Sequence, residues 1–137
     1  MTRLGSLNHL SLTVSDRDCS EPFYDAVLRF MGYQPVERTE DYTLWWLETA
    51  GAILIGSAKP GCVNPTHDRY SPGLHHVGFN ADSREQVDRL YQLLVQIGAT
   101  ILDPPAEYPQ YAPGYYAVFF ADPDGIKLEL VHMPIIP

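Results

Sequence analysis

With 137 residues the chain suffices for one ordinary domain, whereas two independent domains of roughly half that length would each be short of core. Hydrophobic residues make up 45% and charged residues 19%, a balance that excludes a disordered chain, and the 12 prolines and 10 glycines require many turns. A formal net charge of -8, from 17 acidic and 9 basic groups, argues against a nucleic acid or an anionic membrane surface as partner.

No segment reaches about 18 continuous apolar residues and no basic, apolar leader opens the sequence, so a cytoplasmic protein without a membrane span is expected. Cys19 and Cys62 are far apart and lack a CxxC pattern, and are expected as free thiols.

The first strand is predicted from His9 to Val14. Its alternation sends Leu10, Leu12 and Val14 to one face and His9, Ser11 and Thr13 to the other, and a half-polar face on an interior strand suggests a cavity. Ser20 is the expected cap of a helix through Phe23, Tyr24, Val27, Leu28 and Met31, with Pro22 in its first turn and Gly32 as its stop. Tyr33 to Val36 begins the next extended piece, and Thr43–Leu47 and Ala52–Ile55 read as strands joined by a turn at Gly51. Trp45 and Trp46 are consecutive, so each must face a different side of its sheet. Residues 57–74, with Pro60, Gly61, Asn64, Pro65, Pro72 and Gly73, have no period and read as a linker that either joins two modules or folds over a site.

The order then repeats. His76 to Asn80 is a strand, and Ser83, with Gln86 at the capping-box position, starts a helix whose buried stripe is Val87, Leu90, Tyr91, Leu94 and Val95, stopped by Gly98. Asp103 to Gly114, with Pro104, Pro105, Pro109 and Pro113, reads as a long loop. Tyr116 to Phe120 is a strand, Asp122-Pro123-Asp124-Gly125 a tight turn, and Ile126 to Val131 the last strand. The distance from His9 to Gly32 matches that from His76 to Gly98 within one residue, so the chain reads as one module used twice. The first module is placed at 7–56 and the second at 75–133, within one domain of 1–137.

Glu129 faces opposite Leu128 and Leu130, as His9 faces opposite Leu10 and His76 opposite Val77. Two imidazoles and a carboxylate can bind a divalent metal and leave positions open for substrate; the set suits Fe(II) or Mn(II), and Zn or Ni could occupy it. A strand-end histidine is more often a hydrogen-bonded core or surface residue, and a mid-strand glutamate is often simply solvated. His75 competes with His76, but the repeat favours His76. His67 and His75 are acid/base candidates, His67 through a loop that could close over the cavity. Of the aromatic residues near the final turn, Phe119 and Phe120 fit ordinary packing, whereas the tyrosines, Tyr111 and Tyr116 foremost, combine a flat apolar surface with a hydroxyl. Phosphate-binding glycine motifs, HExxH and GxSxG are absent, and the Asp122–Gly125 turn is too short for a calcium loop.

The runs Leu7-Asn8-His9-Leu10-Ser11-Leu12-Thr13-Val14, Phe23-Tyr24-Asp25-Ala26-Val27-Leu28 through Met31-Gly32-Tyr33, Leu74-His75-His76-Val77-Gly78-Phe79, and Tyr116 through Asp122-Pro123-Asp124-Gly125 to Glu129 resemble the glyoxalase/bleomycin-resistance/dioxygenase family, the vicinal oxygen chelate superfamily. The resemblance implies an α+β fold of paired βαβββ modules forming a cupped mixed β-sheet with helices on the outer face, commonly around one divalent metal and frequently in a homodimer. Modules could pair within a chain or between subunits. By position it implies His9, His76 and Glu129 as metal ligands, and places the fourth ligand of glyoxalase I at Ile55, a hydrocarbon. The function implied is a metal-dependent lyase, isomerase or dioxygenase acting on a small molecule that chelates through vicinal oxygens. The alternatives are a metal-free binding or sequestering protein of the bleomycin-resistance type and a thiol transferase of the fosfomycin-resistance type.

Overall fold

The computed structural model describes residues 3–62 and 66–134; Asn64 and Pro65 of the expected linker lie outside the described residues. Two compact units emerge, Met1–Asn64 and Pro65–Pro137. The first holds β1 (His9–Val14), α1 (Arg17–Phe30), β2 (Gln34–Arg38), β3 (Thr43–Leu47) and β4 (Gly51–Ser57). Its sheet runs β1-β4-β3-β2, with β1 parallel to β4 and the other neighbours antiparallel. The second holds β5 (Val77–Asn80), α2 (Arg84–Gln96), β6 (Thr100–Glu107), β7 (Tyr116–Ala121) and β8 (Lys127–His132), in the order β5-β8-β7-β6, with β5 parallel to β8. These two mixed four-stranded sheets, each with one helix, make the chain α+β and the βαβββ unit a repeat.

In the first unit α1 buries Phe23, Tyr24, Val27 and Leu28 at helical spacing, and the sheet buries Leu12, Val14, Ile53, Ile55 and Trp45. Each large apolar side chain so buried contributes about 1.5–3 kcal/mol. Trp45 is fully buried and its indole N–H donates to Asp25 Oδ1 of α1 at 2.9 Å, while Trp46 turns to the other face and is exposed. Gly51 opens β4 at φ +98°, where a Cβ would stand 2.5 Å from the Asn8 carbonyl oxygen, so only glycine lets β4 pass the head of β1. In the second unit α2 packs on β6, β7 and β8 through Val87, Leu90 and Leu94, whereas Val95, expected in the buried stripe, is exposed.

Three further expectations are corrected. The cap of α1 is Asp16, whose carboxylate accepts from the Asp18 N–H at 3.0 Å; Ser20 lies inside the helix and is buried. The proline-bearing segment from Asp103 is not loop throughout, since β6 extends to Glu107 with register shifts between Ile101 and Asp103 and between Asp103 and Ala106. Proline cannot donate to a ladder, but β6 is the outermost strand of its sheet and bulged, where that loss costs little. The first-unit counterpart of Glu129 is Leu54 rather than Ile55. Glu129 pairs with Gly78, two residues beyond His76, just as Leu54 pairs with Ser11, two beyond His9. The turns differ in length: residues 48–50 separate paired Leu47 and Gly51, whereas 122–126 separate paired Ala121 and Lys127, so aligning the turn glycines slips the register by one.

A candidate metal-binding cavity in the second unit

Gly78 of β5, Glu129 of β8, Phe119 of β7 and Asp103 of β6 form one row of paired positions across the sheet. Partners in a row point to the same side, and alternation gives the helix side to Leu128, Leu130, Val118 and Phe120. Glu129 is thus sent away from α2, yet it is only 3% exposed. Its room comes from Gly78, where a Cβ would stand 3.3 Å from Glu129 Oε1. Oε1 lies 3.2 Å from His76 Nε2, and Oε2 accepts a short hydrogen bond from the Tyr115 hydroxyl. Among the described residues no lysine or arginine pairs with Glu129. A carboxylate this buried is costly to desolvate, and among the described residues the imidazole and the phenol are its side-chain partners.

His75 Nδ1 and His76 Nδ1 are 2.7 Å apart. One of these two nitrogens donates to the other, while His76 Nε2 faces the Glu129 carboxylate. Desolvation, followed by the positive fields of His76, Lys127 and Arg69, holds His75 below the ordinary imidazole value. Burial, then the Glu129 hydrogen bond and charge, pushes the Tyr115 phenol well above its ordinary value, so it remains a donor at neutral pH.

The Glu129 carboxylate opens on a cavity of about 340 Å³ lined by His75, His76, Asp103, Tyr108, Tyr111, Tyr115, Phe119, Lys127 and Glu129. Tyr108 and Tyr111 stack with centroids 5.6 Å apart, and Tyr108 meets the Phe119 ring edge to face at 5.4 Å. Lys127 Nζ stands 4.6 Å from the Phe119 centroid.

The residues singled out in the sequence are placed as follows. His76, Glu129, His75 and Tyr111 share this cavity. Tyr116 lines another surface: its hydroxyl donates to Asp88 Oδ1 of α2 at 2.6 Å and Arg84 lies over its ring. His67 ties down its own segment, with Nε2 2.8 Å from the Leu74 carbonyl oxygen and its backbone N–H donating to Asp124 O. His9 heads β1 of the first unit and is exposed, its Nδ1 2.8 Å from Asn8 Oδ1. Donation from Nδ1–H to that amide oxygen leaves the lone pair on Nε2. Among the described residues no ready-formed group of three or more His, Cys, Asp or Glu side chains surrounds a cation position. Sequence reasoning passed over the contact of Tyr115 with Glu129. The signal was the alternation of β7, in which Tyr115 shares a face with Ala117 and Phe119.

Residues 6–130 match the Glyoxalase/Bleomycin resistance protein/Dioxygenase superfamily, and the chain belongs to that family. It is 33% identical over 125 residues to the protein YqjT of Bacillus subtilis (strain 168), covering 91% of this chain and 97% of that protein. It is 28% identical to the metallothiol transferase FosB of Shouchella clausii (strain KSM-K16), over 93% of this chain and 80% of FosB. A glyoxylase/bleomycin resistance protein/dioxygenase domain from Frankia sp. EAN1pec superimposes with a TM-score of 0.78 at 27% identity, covering 95% of this chain and 98% of that one. Among the described residues no helix is long and apolar enough to cross a membrane.

Proposed function

We propose that the protein is a divalent-metal-dependent enzyme of the glyoxalase/dioxygenase type, acting on a small compound that chelates through vicinal oxygens. One observation carries this reading: Glu129, buried and without a lysine or arginine partner, faces His76 at the wall of an open cavity. The donor chemistry fits a cation such as Fe(II) or Mn(II), because imidazole nitrogen and carboxylate oxygen are ligands these ions take, and Gly78 leaves the carboxylate uncrowded. His76 and Glu129 would hold the ion, with His9, at the matching strand head of the first unit, as the third donor.

When bound, such an ion supplies Lewis acidity that stabilises negative charge developing on substrate oxygen. The chain's own residues do the rest. Tyr115 holds Glu129 Oε2 and so leaves Oε1 turned toward His76. His75, kept neutral by its lowered affinity for protons, stands at the cavity wall where it can take a proton from bound substrate. The tyrosine wall orients a small planar body and excludes water from one side.

Metal analysis of protein purified without chelator tests the reading. About one divalent ion per chain is expected in the native protein, with the content falling at least tenfold in His76→Ala and Glu129→Ala and weakened binding in His9→Ala. Equal metal content in the native protein and all variants would refute the site and leave the metal-free binding reading in its place. Catechol cleavage after Fe(II) reconstitution would favour the dioxygenase branch, isomerisation of a thiol hemiacetal the glyoxalase branch. The similarity to FosB makes thiol addition the third assay.

A further inference from the structure

Lys127 is the one lysine or arginine that lines the cavity among the described residues, and it has neither hydrogen bond nor ion pair there. It lies on β8 two residues before Glu129, on the same face, which separates the two side-chain origins by roughly 7 Å. Its cross-strand partner is Ala121, too small to cover it, and its stem leans so that Nζ sits over the Phe119 ring. An ammonium in this position is half-buried and stabilised by the ring face, but its three donors have no protein acceptor among the described residues. Such a group is prepared for an anion that comes from outside the chain.

Besides Lys127, the cavity wall carries the carboxylates of Asp103 and Glu129. A divalent ion held at Glu129 would offset these two carboxylates and leave Lys127 facing an incoming anion. Tyr108, Tyr111 and Phe119 form an aromatic corner beside Lys127, a shape that takes a flat ring.

We propose that the cavity binds a small aromatic carboxylate, its carboxylate on Lys127 Nζ, its ring among Tyr108, Tyr111 and Phe119, and its chelating oxygens at the far end toward His76 and Glu129. This assignment rests on the metal-dependent reading above for the far end of the ligand, and on Lys127 alone for the near end. Both anchors stand on one face of β8, so a ligand that spans them carries its carboxylate and its chelating oxygens at opposite ends.

The test is calorimetric titration of the Mn(II)-loaded chain with 3,4-dihydroxybenzoate and with 3,4-dihydroxybenzamide, which keeps the shape and removes the charge. The native protein should bind the carboxylate about tenfold more tightly, a difference of about 1.4 kcal/mol. Lys127→Met should bring the two affinities within about twofold and leave that for the amide unchanged, whereas Lys127→Arg should retain most of the preference. Equal affinities in the native protein, an undiminished preference in Lys127→Met, or no binding of either compound to metal-loaded protein would overturn the proposal. Metal content is measured on the same samples, so loss of the cation site is seen separately. In metal-stripped protein, benzoate and benzamide replace the chelating pair. A carboxylate preference abolished by Lys127→Met upholds the Lys127 assignment even if the metal reading has failed, and no preference there, once metal content has refuted the cation site, overturns it.

Discussion

Glu129 makes its two hydrogen bonds with partners of different strength of purpose. His76 is the metal ligand of the proposed site, but Tyr115 can only hold, because burial and the carboxylate together keep its proton on the phenol oxygen. Removing that hydroxyl leaves one oxygen of a buried carboxylate without its donor, at a cost of about 1–3 kcal/mol. Tyr115→Phe should therefore lower the urea-unfolding free energy by that amount, and the loss should largely vanish in a Glu129→Gln background, where no charge needs the donor. Equal losses in both backgrounds would mean that Tyr115 acts only by packing. Strand parity made His76 and Glu129 legible in the sequence, since a polar residue flanked by Val77 or by Leu128 and Leu130 must face away from them. The same parity separates Tyr115 from Tyr116, but consecutive tyrosines look equivalent until the start of β7 and its partner Asp88 on α2 are known. The same parity turns Lys127 to the face of Glu129, whereas its lack of a hydrogen bond or ion pair among the described residues is a property of three-dimensional neighbours alone.

The element boundaries follow from local chemistry with instructive exceptions. Both helices end in the same device: the Tyr33 N–H returns to Leu28 O and the Gly32 N–H to Arg29 O, and the Ala99 and Gly98 N–H groups return to Leu94 O and Val95 O. Gly32 and Gly98 take positive φ to make these paired bonds, which is why the glycine stops were readable. The start of α1 was less so, because Ser15, Asp16 and Ser20 are all capping residue types and Pro22 suggested a later beginning. The helix begins earlier because its apolar face can extend back to Ser20, and Pro22 then sits inside, giving up one backbone bond. Asp16→Ala should cost about 1 kcal/mol in equilibrium unfolding, while Ser20→Ala should leave the helix start intact. A larger loss from Ser20→Ala than from Asp16→Ala, with amide exchange accelerated at Asp18 and Cys19 only in the former, would return the cap to Ser20. β6 escaped notice for a related reason: its prolines erase the alternation that marks a strand, and only its position at the sheet edge makes them tolerable.

Across the whole chain one βαβββ plan serves two uses. The first unit places Leu54 where the second places Glu129, and Ser11 where the second has Gly78, so the same row carries a hydrocarbon in one sheet and a cradled carboxylate in the other. The repeat could be read from spacing, but its exact register depended on turn lengths that glycine positions misreport. Alkaline stability is a property of the molecule to which the first unit contributes through Tyr33, which follows the α1 stop and is 4% exposed. Burial raises the pKa of its phenol above the ordinary value of 10.0. A group whose folded pKa is raised binds its proton more tightly in the native state, so its contribution is complete below the unfolded pKa and is lost as pH rises through the folded one. The melting temperature should therefore hold through about pH 9 and fall beyond about pH 10, as the unfolded chain gains charge that buried Tyr33 resists. Tyr33→Phe should flatten this alkaline limb relative to the native protein, whatever its effect at neutral pH. The measurement is thermal unfolding from pH 7 to 11 at fixed ionic strength, with tyrosinate absorbance followed in parallel. An alkaline slope identical in the two proteins would show that Tyr33 ionises as freely in the folded chain as in the unfolded one.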